Sequence, residues 1–79
     1  MDYRTILKNQ LEQRKVINPR FSMRSLAQKI ELSPSKLSEI MQGRKHLSSK
    51  RAAIIADKLG LRDIEREIFI LSTVADDET

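Results

Sequence analysis

Apolar residues recur along this chain at helical spacing, and the few Gly and Pro residues punctuate the pattern. Tyr3, Ile6, Leu7 and Leu11 fall at i, i+3, i+4 and i+8, which predicts a first helix over about residues 3–16 with one apolar stripe. Asp2 is the expected N-cap, and Arg4, Lys8, Glu12 and Lys15 cover the opposite side. Asn18-Pro19 ends this helix, because Pro disfavours helical geometry in the residue before it. Ile17 and Phe21 are expected to close the loop over the core.

A second helix starts after Ser22, where Met23, Leu26, Ala27 and Ile30 match i, i+3, i+4 and i+7. Phe21, just before the cap, can staple onto Leu26. The turn Glu31-Leu32-Ser33 follows, with Leu32 pointing inward. Ser33-Pro34 then reads as N-cap and first helical residue of a third helix. Leu37, Ile40 and Met41 share one face of it. At about 100° per residue, Ser35, Glu39 and Gln42 line the other, with Lys36 and Ser38 flanking. That outer stripe is polar and short-chained, unlike the long charged cover of an ordinary surface helix. Gly43 stops the helix.

Arg44-Lys45-His46 makes a basic loop anchored by Leu47. Ser48 or Ser49 caps a fourth helix, in which Ala52, Ile55, Ala56 and Leu59 repeat the apolar spacing before Gly60. A fifth helix is expected from about Asp63 to Val74. Its apolar residues Ile64, Ile68, Phe69, Ile70, Leu71 and Val74 span too wide an arc for one core face, so the helix is either deeply buried or meets another chain. Residues 1–74 thus form one all-α domain of five helices, and 75–79 an acidic, flexible tail.

Composition narrows the chemistry. With 79 residues, no Cys and one His, a disulfide framework, thiolate metal sites and most zinc or acid–base schemes are excluded. No run approaches the roughly 18 apolar residues of a membrane span, which predicts a cytoplasmic protein with no membrane partner. The net charge of +4 hides an asymmetry. Residues 1–61 carry 13 Lys/Arg against 5 Asp/Glu, while 62–79 carry 2 against 6, so +8 faces −4. A basic body points to a polyanion partner.

The stretch Ser22–Gly43 resembles the helix-turn-helix of the Cro/CI-like, xenobiotic-response-element-type repressors. The matching residues are Leu26-Ala27 in the second helix, Leu32-Ser33 in the turn, Leu37-Ser38 and Ile40 in the third helix, and the closing Gly43. A likeness over nearly the whole chain connects Asp2-Tyr3-Arg4, Arg14-Lys15, Asn18-Pro19, Phe21-Ser22, Leu47-Ser48 and Ile55-Ala56 to the N-terminal segment of a group of longer bacterial regulators. The resemblance implies a compact lambda-repressor-like fold that binds double-stranded DNA as a transcriptional regulator; no cofactor is expected and no small-molecule ligand is evident in the residues. There are two departures. Met23 stands where the family often has a phosphate-contacting Gln, and Glu31 stands where the turn usually has a left-handed Gly.

By the same resemblance the base readers lie at the head of the third helix and one turn on, at Pro34, Ser35, Lys36 and Glu39, with Gln42 beyond. Pro34 offers only apolar contact, for example to a thymine methyl group. Ser35 can bond to any base, and Lys36 can reach guanine or a phosphate. Glu39 is the odd member, because phosphates repel a carboxylate unless it accepts from cytosine N4. Phosphate contacts are expected from Arg24, Arg44, Lys45, His46, Lys50 and Arg51. Ser22, Ser33, Ser38, Ser48 and Ser49 join them through hydroxyls or the N–H groups at helix starts. A lone module of this size makes few base contacts, so a homodimer is expected, with Ile64, Ile68, Phe69 and Leu71 as its surface.

Other chemistries fit less well. Ser33-Pro34-Ser35-Lys36 matches the Ser-x-x-Lys pattern of acyl enzymes, but no second motif or oxyanion segment accompanies it. Asp63, Glu65 and Glu67, two apart, spread around a helix instead of converging on a metal, and Asp76 to Glu78 reads as a solvated tail. No enzyme is predicted. The alternative is a protein-interaction module of the same fold, using its basic face or its fifth helix.

Overall fold

A computed structural model describes residues 2–77, the last two by backbone alone. Its architecture is all-helical: α1 Tyr3–Ile17, α2 Met23–Lys29, α3 Pro34–Met41, α4 Ser49–Leu59 and α5 Asp63–Asp77. None of these helices is long and apolar enough to cross a membrane.

Local chemistry explains where the first four helices start. Asp2, Ser22, Ser33 and Ser48 occupy the N-caps of α1 to α4, and each side chain accepts from a backbone N–H three residues on. Ser48, not Ser49, therefore caps α4. The Asp2 carboxyl is held below its ordinary range, chiefly by the hydrogen bond from the Thr5 N–H. At Ser22 the pairing is reciprocal, since Ser25 Oγ accepts from the Ser22 N–H in return.

The ends of α2, α3 and α4 share one device. In each, a left-handed residue follows the last turn, and two backbone N–H groups fold back onto carbonyls of that turn. Glu31 (φ +59) and Leu32 donate to Gln28 and Ala27. Gly43 (φ +83) and Arg44 donate to Ile40 and Glu39, and Gly60 (φ +78) and Leu61 to Asp57 and Ala56. Glycine adopts this conformation without strain, but Glu31 does not. The Glu31 carboxylate pairs with Lys58 of α4, which ties the strained turn to the next layer and pulls the carboxyl below its ordinary range.

The core is drawn from all five helices. Tyr3, Leu7, Leu26, Leu37, Ile40, Ile55 and Phe69 are fully buried, and Leu47 closes the loop between α3 and α4. Phe21, Met23, Leu32, Met41 and Ile70 pack half-buried on its margin. The Tyr3 and Phe69 rings stack at 6.3 Å, joining the two ends of the chain.

Three expectations need correcting. Ile17 does not cover the core and is 86% exposed. Arg14, one turn earlier on the same side, closes that end by donating to the Leu59 carbonyl, which leaves Ile17 beyond the last neighbour. Phe69 is not a surface residue, because it lies on the inner side of α5 with Thr73, both fully buried. The helix also runs three residues past Val74 to Asp77, so it takes in the start of the expected tail; Glu78 and Thr79 lie outside the described residues.

Candidate nucleic-acid interface

Two short helices, α2 and α3, pack on each other across the turn Ile30–Ser33. Burying Leu26 and Ala27 on one and Leu37 and Ile40 on the other leaves the remaining faces outward. At the head of α3, Pro34 and Ser35 are exposed and Lys36 is half-buried, its N–H held by the Ser33 hydroxyl at 3.1 Å. Arg24 and Gln28 of α2 line a cleft of about 500 Å³ with Leu32 and Pro34. Gln28, which the residue pattern did not single out, therefore joins the candidate surface.

One turn further on, Glu39 is half-buried and its carboxylate lies 3.4 Å from the Lys45 ammonium. Glu39 thereby holds a cation of the adjoining loop. Gln42 is exposed, but its amide donates to the Ser38 hydroxyl at 3.1 Å, so both begin as partners of each other. Ser38 and Gln42 also border a groove of about 630 Å³ floored by Leu11, Met23 and Met41, with Lys8 and Glu12 on its rim. Met23 is thus part of an apolar floor, consistent with its departure from the polar residue expected there.

The cations fall into groups. Arg44, Lys45 and His46 are exposed in the loop after α3. Ser48, Lys50 and Arg51 at the head of α4 share a hollow of about 440 Å³ with Glu31 and Ile54, so this group lies against the turn. The Ser33 and Ser48 hydroxyls are engaged in capping but keep an O–H that can donate outward, whereas the Ser22 hydroxyl also pairs with Ser25 Oγ at 3.1 Å. Ser49 is half-buried in the first turn of α4. Among the described residues, no cluster of His, Cys, Asp or Glu could hold a metal ion.

No family model, curated protein or solved structure matches this chain.

The residue pattern missed Arg4. Its spacing puts it on the solvated side of α1, yet its Nε donates to the Ile40 carbonyl at 2.7 Å and its Nη2 to the Lys45 carbonyl at 3.1 Å. Its guanidinium also lies 4.7 Å above the Tyr3 ring. Contacts 36 and 41 residues away leave no periodic signal in a sequence. Only the neighbouring Tyr3, an aromatic face beside an arginine, hinted at them.

The outer side of α5 is apolar. Ile64, Ile68 and Leu71, 70%, 38% and 63% exposed, lie opposite the buried Phe69 and Thr73, with Glu65 and Glu67 on the flanks. Helical spacing at about 100° per residue puts these three within one narrow stripe.

Proposed function

We propose that this chain is a sequence-specific double-stranded DNA-binding domain that acts as a transcriptional regulator in the cytoplasm, at the nucleoid. The observation that carries the proposal is the capped helix pair itself: a short-chained, uncrowded head of α3 at Pro34 and Ser35, with Arg24 beside it and a cationic loop at its far end. In this reading α3 enters the major groove and α2 crosses the backbone, the docking mode of helix-turn-helix proteins. Ser35 and Lys36 contact base edges, while Arg24, Arg44, Lys45, Lys50 and Arg51 contact phosphates. Pro34 fills space against a base, and Glu39 pairs with Lys45 until a phosphate replaces it. The resemblance to Cro/CI-like repressors supports the same assignment.

Two copies act together in this proposal, joined along the stripe Ile64, Ile68 and Leu71, because one module of this size reads few bases. The same exposed stripe favours a second reading, in which α5 docks on a different protein.

Salt dependence tests DNA binding. Five cations on phosphates give a slope of about −4.5 in log K against log salt, or a loss of a few hundred-fold between 50 and 200 mM. Fluorescence anisotropy of a labelled duplex reads this directly. Absence of binding at 50 mM, or binding indifferent to salt, contradicts the proposal.

A further inference from the structure

The loop Arg44–His46 leaves α3 through a left-handed Gly43, and the Arg44 and Lys45 N–H groups both return to the Glu39 carbonyl, at 2.9 and 3.3 Å. These bonds close the end of α3. Arg4 adds a second tie between loop and helix from outside both. One guanidinium spans the Ile40 carbonyl in the last turn of α3 and the Lys45 carbonyl in the loop. The Ile40 carbonyl already accepts from Gly43, so Arg4 takes its second lone pair.

The clamp has a rigid base. Tyr3 beneath the guanidinium is fully buried and stacked on Phe69. A planar fork with two splayed donors can stack on a ring and bridge two carbonyls, whereas a lysine ammonium on a flexible stem cannot do both. Its positive charge also sits at the carbonyl end of α3, where the helix dipole favours a cation.

We propose that Arg4 is a positioning residue that holds the cationic loop Arg44–His46 in register with α3, so that α1 sets how those cations meet a polyanion. The polyanion is duplex DNA, and this part rests on the function proposed above; the clamp itself does not.

Two variants separate geometry from charge. Arg4→Met keeps length and packing on Tyr3, and Arg4→Lys keeps the charge without the fork. Amide hydrogen exchange at Arg44 and Lys45 is read first, with no DNA present. Both variants are expected to speed it about ten-fold or more while exchange in the α4 core stays slow. Unchanged exchange at these two amides overturns the proposal. On duplex DNA, both variants are expected to weaken binding several-fold on every sequence alike and to reduce the salt slope by about one phosphate contact, roughly 0.9. Wild-type behaviour of Arg4→Lys in both measurements would overturn the fork, since charge alone would then suffice. Faster exchange in the variants together with no duplex binding by the wild-type chain would uphold the clamp and remove the DNA reading.

Discussion

Replacing Glu39 with Gln releases Lys45 from the pair that holds it in the free protein. At 3.4 Å two unit charges in water attract by about 1 kcal/mol. The side chains are 53% and 37% exposed for Lys45 and Glu39, so entropy and salt reduce the net value to roughly 0.2–1 kcal/mol. Lys45 must surrender this attraction before it can bind a phosphate, which makes the pair worth about 1.4- to 5-fold in affinity. Removing a carboxylate that would face incoming phosphates acts in the same direction. The loop should keep its course, because the Arg44 and Lys45 N–H groups bond to the backbone carbonyl of residue 39, not to its side chain. Glu39→Gln is therefore expected to tighten binding about two- to ten-fold on all duplexes at low salt, with a smaller gain as salt screens the pair. Anisotropy titrations at several salt concentrations on a selected and a scrambled duplex check this. Weaker binding confined to the selected duplex would refute the reasoning, because Glu39 would then be reading a base.

Three further outcomes are expected. Glu31→Gly should melt above Glu31→Ala: both lose the Lys58 pair, but glycine relieves about 1–2 kcal/mol of left-handed strain against roughly 0.4–1 kcal/mol of added chain entropy in the unfolded state. The difference is a few degrees by calorimetry, and equal midpoints would mean that the turn stores no strain. Asp2→Ala should cost about 1 kcal/mol at neutral pH. The folded carboxyl lies below its ordinary 3.8, so the stabilisation is complete above that value and fades as pH falls through the lowered one; a gap between the two proteins that is undiminished near pH 2 would contradict the cap. Ile68→Asp should leave the fold intact and reduce the sedimenting mass from two chains to one, whereas Phe69→Asp should unfold the domain; an unchanged mass for folded Ile68→Asp refutes the α5 pairing.

Much of the fold was legible because it rests on short-range chemistry. Ser33-Pro34 and Asp2 announce helix starts, and spacings such as Ala52, Ile55, Ala56 and Leu59 mark the faces that are in fact buried. The wide apolar arc of α5 was visible, but its division was not. Six apolar residues around one helix do not say which of them a neighbour covers, and only the stacking of Tyr3 on Phe69 decides it. Ile17 failed for the same reason, since its spacing is right but nothing packs beyond the end of α1. At the candidate site, the polar stripe of α3 and the basic loop were readable from residue type. The pairings that organise them were not: Glu39 with Lys45, Glu31 with Lys58, and Arg4 with two distant carbonyls depend on how the helices meet.

Whether α3 reads DNA sequence is decided by selecting bound sequences from a random duplex pool. A short motif is expected to be enriched, repeated as a palindrome with half-sites about one helical turn apart if two copies bind together. A folded protein that retains no sequence above the composition of the starting pool would contradict it.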